Sequence, residues 1–359
     1  MFAFCKATDK EKVGTSRQVA WINGAKLVAI LAVLVDHTNG VLYINQEFAL
    51  ASYFSVALFV LLSGMTSYMT NANGKDVSGG GYLRNCKKIM AAYSLAVAVY
   101  LVVQTQGFDF SLYLYYLFHF NISGPHYFVL LYVQLMVWNG VLYCLLQKCP
   151  VSVKGWVCEG MVLAGILVLA SWTTNHTNIL DVYGGGGKLF GGTYLVLYYF
   201  GMLVQRHGWL REGSIEKSVG MLAFFGTAWF LCWRYTCKNG YVLDRYVPFG
   251  PGSNPPSATL SISAVFMLFA MFGLFTILGQ SRYLSWVSLL ADKAGRHTLY
   301  IFLYHRLILD CFLLEYMLDL PQKNRWIARV VYFGVMITGA WLIEWVVSYV
   351  QKNLEMKRV

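Results

Sequence analysis

Three ionisable residues lie inside the first apolar run, WINGAKLVAILAVLVDHTNGVLYI: Lys26, Asp36 and His37. None sits in hydrocarbon cheaply, so each needs a partner, a cavity or a task. Eleven positions separate Lys26 from His37. On a helix that spacing is about 1100° of rotation, three turns plus about 20°, with a rise of about 16 Å. The two side chains therefore share one stripe, expected to face the protein interior and a common wet cavity. Asp36 is adjacent in sequence but about 100° around the helix, so it need not pair with His37 directly. Lys26, Asp36 and His37 are the candidate catalytic residues. An imidazole titrates near neutrality, and burial keeps it uncharged and able to accept a proton, so His37 is the natural general base. The plainer alternative is a packed histidine bonded to another helix.

These residues must be held by a membrane bundle. The 359 residues are 57% hydrophobic and 13% charged, with a mean hydropathy of +0.52. That composition describes an all-α polytopic membrane protein set in a lipid bilayer. The opening MFAFCKATDKEKVGTSRQ carries charges without an apolar core, so no cleavable leader is expected. Residues 1–18 read as an N-terminal tail, 19–350 as the membrane domain and 351–359 as a C-terminal tail. The net charge of +11 raises nucleic acid as a partner, but the placement of the cations argues for topology instead, and no nucleic-acid partner is expected. Eight cysteines without metal-like spacing read as free packing thiols, and no metal is expected.

About ten spans are expected: Val19–Tyr43, Phe48–Thr70, Lys88–Thr105, His126–Leu146, Trp156–Thr173, Leu189–Gln205, Ser218–Tyr235, Pro256–Leu278, Thr298–Met317 and Trp326–Val350. Phe110–Phe120 is too short and aromatic to span, and an interfacial helix is expected there. With ten spans, the tails and the loops on their side hold nineteen Lys and Arg, and the alternate loops hold six. Such a bias predicts a multi-pass protein of the cell membrane with both termini in the cytoplasm. Lys26 then lies in the inner half of the first span and His37 in the outer half.

Other polar residues fall in or beside the spans. In FVLLSGMTSY, Ser63-Gly64 permits close helix approach, and Ser63 can bond a ligand. No G-x-S-x-G elbow surrounds it, which disfavours a serine nucleophile. Arg84, Lys87 and Lys88 cluster where a cytoplasmic loop meets a helix; they anchor to headgroups or seat a phosphorylated ligand. His126 opens a helix that carries Gln134, and His305-Arg306 fall in the middle of a late span. Ser63, His126, Gln134, His305 and Arg306 are substrate-pocket candidates. Glu159 and Glu344 lie in apolar runs and can neutralise a buried cation.

In this layout the chain resembles the acyltransferase family 3 integral-membrane acyltransferases over nearly its whole length. The motifs are Asn23-Gly24-Ala25-Lys26 followed by His37, then FVLLSG, YLRNCKKIMAAY, GPHYFVLLYVQL and TLYIFLYH. Asn23 stands where that family usually has aspartate, and Lys26 where arginine is commoner. The resemblance implies transfer of an acyl group, usually acetyl, from cytoplasmic acyl-coenzyme A as co-substrate to a hydroxyl. The implied acceptor is a cell-surface glycan or lipid-linked sugar, with a homo-oligomer or a glycan-assembly protein as further partner. Lys26 and His37 would be catalytic, and Arg84, Lys87 and Lys88 would face the donor. His37 would act as general base or as transient acyl carrier. Two rival classes are a transporter or flippase of a lipid-linked saccharide or solute, and a non-catalytic sensing module. No pair of similar halves with broken helices, as transporters often show, is evident.

Overall fold

A computed structural model describes residues 16–74, 79–150, 152–175, 194–211, 213–239, 258–310 and 325–356. In chain order the helices are α1 (Ser16–His37), α2 (Gln46–Ser52), α3 (Ser55–Ala72), α4 (Gly79–Thr105), α5 (Phe110–His119), α6 (Tyr127–Lys148), α7 (Val153–Asn175), α8 (Tyr194–Arg206), α9 (Ile215–Asn239), α10 (Ala258–Gln280), α11 (Ser285–Gly295), α12 (Thr298–Ile308) and α13 (Arg325–Met356). The described residues hold no strand, only an isolated bridge between Asn39 and Tyr43. Seven candidate membrane spans are found among them, carried by α1, α2–α3, α4, α6, α9, α10 and α13. α5 has ten residues, about 15 Å of helix against a hydrocarbon core of about 30 Å, and does not cross it.

Local chemistry sets the helix ends. The first span was expected to continue to Tyr43, but α1 stops at His37. Thr38 turns its hydroxyl back onto the Leu34 carbonyl at 2.7 Å, and Gly40 follows at φ +86°, a left-handed backbone that breaks the helix. His37 therefore stands at the mouth of the bundle. Asn45 caps α2 by accepting from the Phe48 amide at 3.0 Å.

Contacts at successive levels fix the helix directions. Asn23 meets Asp292 near the start of α1, and His37 meets His305 at its end. α1 thus runs parallel to the α11–α12 segment. α3 and α6 run parallel to each other, joined by Phe59 with Phe128 and by Asn71 with Asn139 at 3.0 Å. α4 opposes α6, since Cys86 meets Met136 while Tyr93 and Tyr100 stand against His126. The ends of α1, α4 and α12 and the start of α6 therefore gather on one side.

Small residues allow the closest approach. A Cβ on Gly64 would lie 2.0 Å from the Tyr198 carbonyl oxygen, and one on Gly201 would lie 2.1 Å from that of Leu61. α3 and α8 thus touch backbone to backbone, the role expected of Ser63-Gly64. The buried apolar residues form two groups. One is built on α1, α3, α8 and α10; the other on the second half of α1 with α4, α12 and α13. Leu27, Phe59 and Phe128 pack against both, forming a seam. Large apolar side chains such as Phe224, Leu231, Val330, Leu342 and Trp345 on α9 and α13 are exposed, as lipid-facing helices require.

Candidate functional site

A cavity of about 170 Å³ opens at that seam. α1 contributes Lys26, α3 Phe59 and Ser63, α4 Ile89, α6 Phe128, Val129 and Tyr132, and α12 Thr298, Leu299 and Phe302. The walls are mainly apolar, and Lys26 is the one basic side chain among these lining residues. Ser63 donates to the Phe59 carbonyl at 2.8 Å, the back-bond typical of a helical serine. The Tyr132 phenol shares the lining with it. Two of the expected candidates, Lys26 and Ser63, therefore share one chamber. An engineered apolar cavity of about 150 Å³ holds benzene, so this chamber of about 170 Å³ has room for a group of that size.

The adjacent histidine cluster lies toward the end of α1. His37 Nδ1 lies 2.6 Å from His305 Nε2. The rings are 7° from parallel with centroids 4.9 Å apart. The nitrogen–nitrogen contact nearly accounts for that separation once each ring's own radius is added, so the imidazoles meet edge to edge rather than face to face. His305 Nδ1 contacts the Phe302 carbonyl at 2.7 Å. Tyr332 donates to the His305 carbonyl at 3.0 Å. His126 is buried between Tyr93 and Tyr100, with Nε2 3.2 Å from the Leu303 carbonyl. Phe302 joins the two regions: it lines the cavity, and its carbonyl anchors the imidazole that bonds His37.

Around His37 the outer groups are polar. Asp36 Oδ2 lies 3.7 Å from His37 Nε2, so the neighbouring carboxylate faces the ring despite its offset around the helix. Asp36 is also hydrogen-bonded to the Tyr53 phenol. Arg306 donates to the His37 carbonyl at 3.3 Å and pairs with Asp310 at 3.1 Å. In the connection beyond α1, burial, with the Asp36 carboxylate and the Tyr53 phenol adding to it, pushes the Tyr43 phenol up to about 12. It stays protonated and donates to the Val35 carbonyl at 2.6 Å.

The expectation of one cavity shared by Lys26 and His37 is modified. Lys26 lines the chamber, whereas His37 lies outside its lining and reaches it through His305 and Phe302. The reason is axial: eleven residues of helix separate the two side chains by more than such a chamber spans. His305 is brought to His37, and Arg306 anchors the end of α1. His126 supports α12 from the far side. Gln134 is half-buried on α6 and does not line the cavity. Lys87 and Lys88 are exposed on α4 immediately before the cavity-lining Ile89. The side chains of Arg84 and Glu344 lie outside the described residues.

Some partners were not legible in the sequence. Asp292, buried on α11, accepts from Asn23 Nδ2 at 2.8 Å and pairs with Arg296 at 2.6 Å. This bond holds the Asn23-Gly24 turn of α1, and a Cβ on Gly295 would fall 1.9 Å from the Asn23 carbonyl oxygen. Glu159 neutralises a buried cation as expected: Arg206 lies at 2.8 Å, and His207 Nε2 contacts the same carboxylate at 2.7 Å. Among the described residues no group of three or more His, Cys, Asp or Glu is placed to hold a metal ion.

The family model described as an acyltransferase domain matches residues 19–345, nearly the whole chain. No curated protein and no solved structure matches.

Proposed function

Because the chain belongs to acyltransferase family 3, we propose that it moves an acyl group, acetyl in the simplest case, from acyl-coenzyme A to a hydroxyl of a cell-surface glycan or lipid-linked sugar. In this reading it sits in the cell membrane with ten spans and both termini in the cytoplasm, the arrangement the Lys and Arg bias favours. The three spans beyond the seven that are long and apolar enough by themselves are the expected Trp156–Thr173, Leu189–Gln205 and Thr298–Met317, of which α7, α8 and α12 are the described parts.

The donor enters from the side of Lys87 and Lys88, whose ammonium groups attract its phosphates. Its acyl end enters through the cavity beside Lys26, Ser63 and Thr298 and advances past Phe302 to the histidine pair. The acceptor approaches His37 from the opposite face. His37 takes the hydroxyl proton as the oxygen attacks the thioester carbonyl carbon. The carbon–sulfur bond breaks, and the departing thiolate recovers the proton from the imidazolium. Lys26 and the Ser63 hydroxyl offer donors to the thioester carbonyl oxygen while the acyl end is in the chamber, before it reaches His37. Asp36 steadies the imidazolium while it carries the proton.

The observation that carries this reading is the Phe302 link, which sets the histidine pair directly against the chamber holding Lys26. The test supplies membranes containing wild-type or His37→Ala protein with labelled acetyl-coenzyme A. Acceptor labelling is expected to fall at least about 100-fold in the variant. Undiminished labelling rejects His37 as the base, and label-free acceptor with wild-type protein rejects the donor.

A further inference from the structure

The bond between the two histidines has a direction. The Phe302 carbonyl can only accept, so His305 Nδ1 carries the hydrogen of their 2.7 Å contact. In the neutral ring the other nitrogen, Nε2, is then an acceptor. It faces His37 Nδ1 at 2.6 Å, which makes His37 Nδ1 the donor and leaves His37 Nε2 with a free lone pair. That lone pair lies 3.7 Å from Asp36 Oδ2. The gap is too long for a direct hydrogen bond, and both atoms are acceptors, so nothing bridges them from within. The His37 and Asp36 side chains are 27% and 34% exposed, so a molecule at the mouth of the bundle can reach both.

Asp36 already accepts from the Tyr53 phenol, but a carboxylate has further lone pairs, so the two side-by-side acceptors can take two donated hydrogens from one ligand. A lone hydroxyl carries one hydrogen and satisfies one of them. Two hydroxyls on adjacent carbons, in the gauche arrangement, hold their oxygens about one hydrogen-bond length apart, and each can donate to its own acceptor across the 3.7 Å gap. We propose that His37 Nε2 and the Asp36 carboxylate form the acceptor subsite, and that its ligand is a vicinal diol such as a pyranose presents. One hydroxyl bonds Asp36 and is held. Its neighbour bonds His37 Nε2 and is the one acylated: its hydrogen goes to Nε2 as its oxygen forms the new bond to the acyl carbon, and sulfur leaves with the carbon–sulfur electron pair. His305 is a positioning residue that keeps the hydrogen of the neutral His37 ring on Nδ1. The inference rests on the reading of His37 as the base.

The test measures equilibrium binding by ligand-observed magnetic resonance, with the full chain in detergent and no acyl donor. The probes are a methyl pyranoside and its analogue lacking one hydroxyl of each vicinal pair. The intact glycoside is expected to bind about 10-fold more tightly, which is about 1.4 kcal/mol. Asp36→Ala and the isosteric Asp36→Asn are expected to remove that preference, with folding checked by thermal melting in the same detergent. Equal affinity of wild-type protein for the two probes overturns the proposal without needing any variant, as does a preference that survives both substitutions. The outcome is separable from the acylation assay. Selective binding without acyl transfer leaves the subsite and rejects the base; transfer without selectivity does the reverse.

Discussion

His37 and His305 stand 268 residues apart in the chain, yet their ring nitrogens meet at 2.6 Å. One ring ends α1 and the other lies in α12, and parallel packing of these segments brings them level. The pair borders the chamber that holds Lys26, so the histidines and the lysine lie on one path through the bundle.

Replacing His305 with alanine is expected to lower the turnover rate about 100-fold, because His37 then rotates freely and loses its fixed tautomer. His305→Gln retains an oxygen that can accept from His37 Nδ1 and is expected to recover most of that loss. Rates in proteoliposomes, with KM for donor and acceptor measured separately, check this. A purely structural His305 would lower stability in both variants alike.

Filling the chamber with Ser63→Phe is expected to raise the KM for the acyl donor about 10-fold or more and leave acceptor binding intact. The added ring would occupy much of the 170 Å³ cavity. Initial rates against donor concentration, with acceptor binding measured separately, decide it.

Gly64→Leu or Gly201→Leu is expected to abolish the folded protein, since even a Cβ at either site would overlap a backbone carbonyl of the opposing helix. The yield of monodisperse protein in detergent reads this directly. Gly226, where an added Cβ meets nothing within 4 Å, is the control position: Gly226→Ala is expected to express normally.

Asn23→Leu is expected to destabilise the bundle by about 1–3 kcal/mol, because it leaves the buried Asp292 carboxylate without its α1 donor. Arg296 remains at 2.6 Å, but its side chain is 60% exposed and compensates little. The loss appears as a lower melting temperature in detergent, and Asn23→Asp is expected to be worse, since it sets two carboxylates together.

Breaking the ion cluster with Glu159→Leu is expected to cost about 3–5 kcal/mol, the range for removing one partner of a buried pair. Arg206 and His207 both lean on that carboxylate at 2.8 and 2.7 Å. Thermal melting is again the measure, with Glu159→Leu/Arg206→Met expected to regain part of the loss.

The sequence was informative wherever one segment's chemistry decides the outcome. Apolar runs long enough to cross hydrocarbon announce membrane helices. The eleven-residue spacing placed Lys26 and His37 on one stripe of α1, and Ser63-Gly64 announced a close helix contact. Glu159 read correctly as a counter-charge to a buried cation, because an acid inside an apolar run needs one. The end of α1 was misplaced at Tyr43, since the hydropathy of GVLYI hides the Thr38 back-bond and the left-handed Gly40 that stop the helix at His37.

Pairing between distant helices was not legible. Nothing in TLYIFLYH says that His305 bonds His37 rather than another polar group, and nothing in the stretch around Asp292 says that it receives Asn23. Helical periodicity fixes which residues share a face, but it says nothing of which face meets which, or at what height. Those choices follow from how neighbouring helices slide and rotate until glycines nest, side chains interlock and most buried polar atoms find partners. That settlement involves the whole bundle at once, so composition and spacing determined a membrane bundle with a polar stripe, and the motifs pointed to the family. Only the packed structure decided that the stripe is split into a chamber at Lys26 and a histidine pair at the mouth.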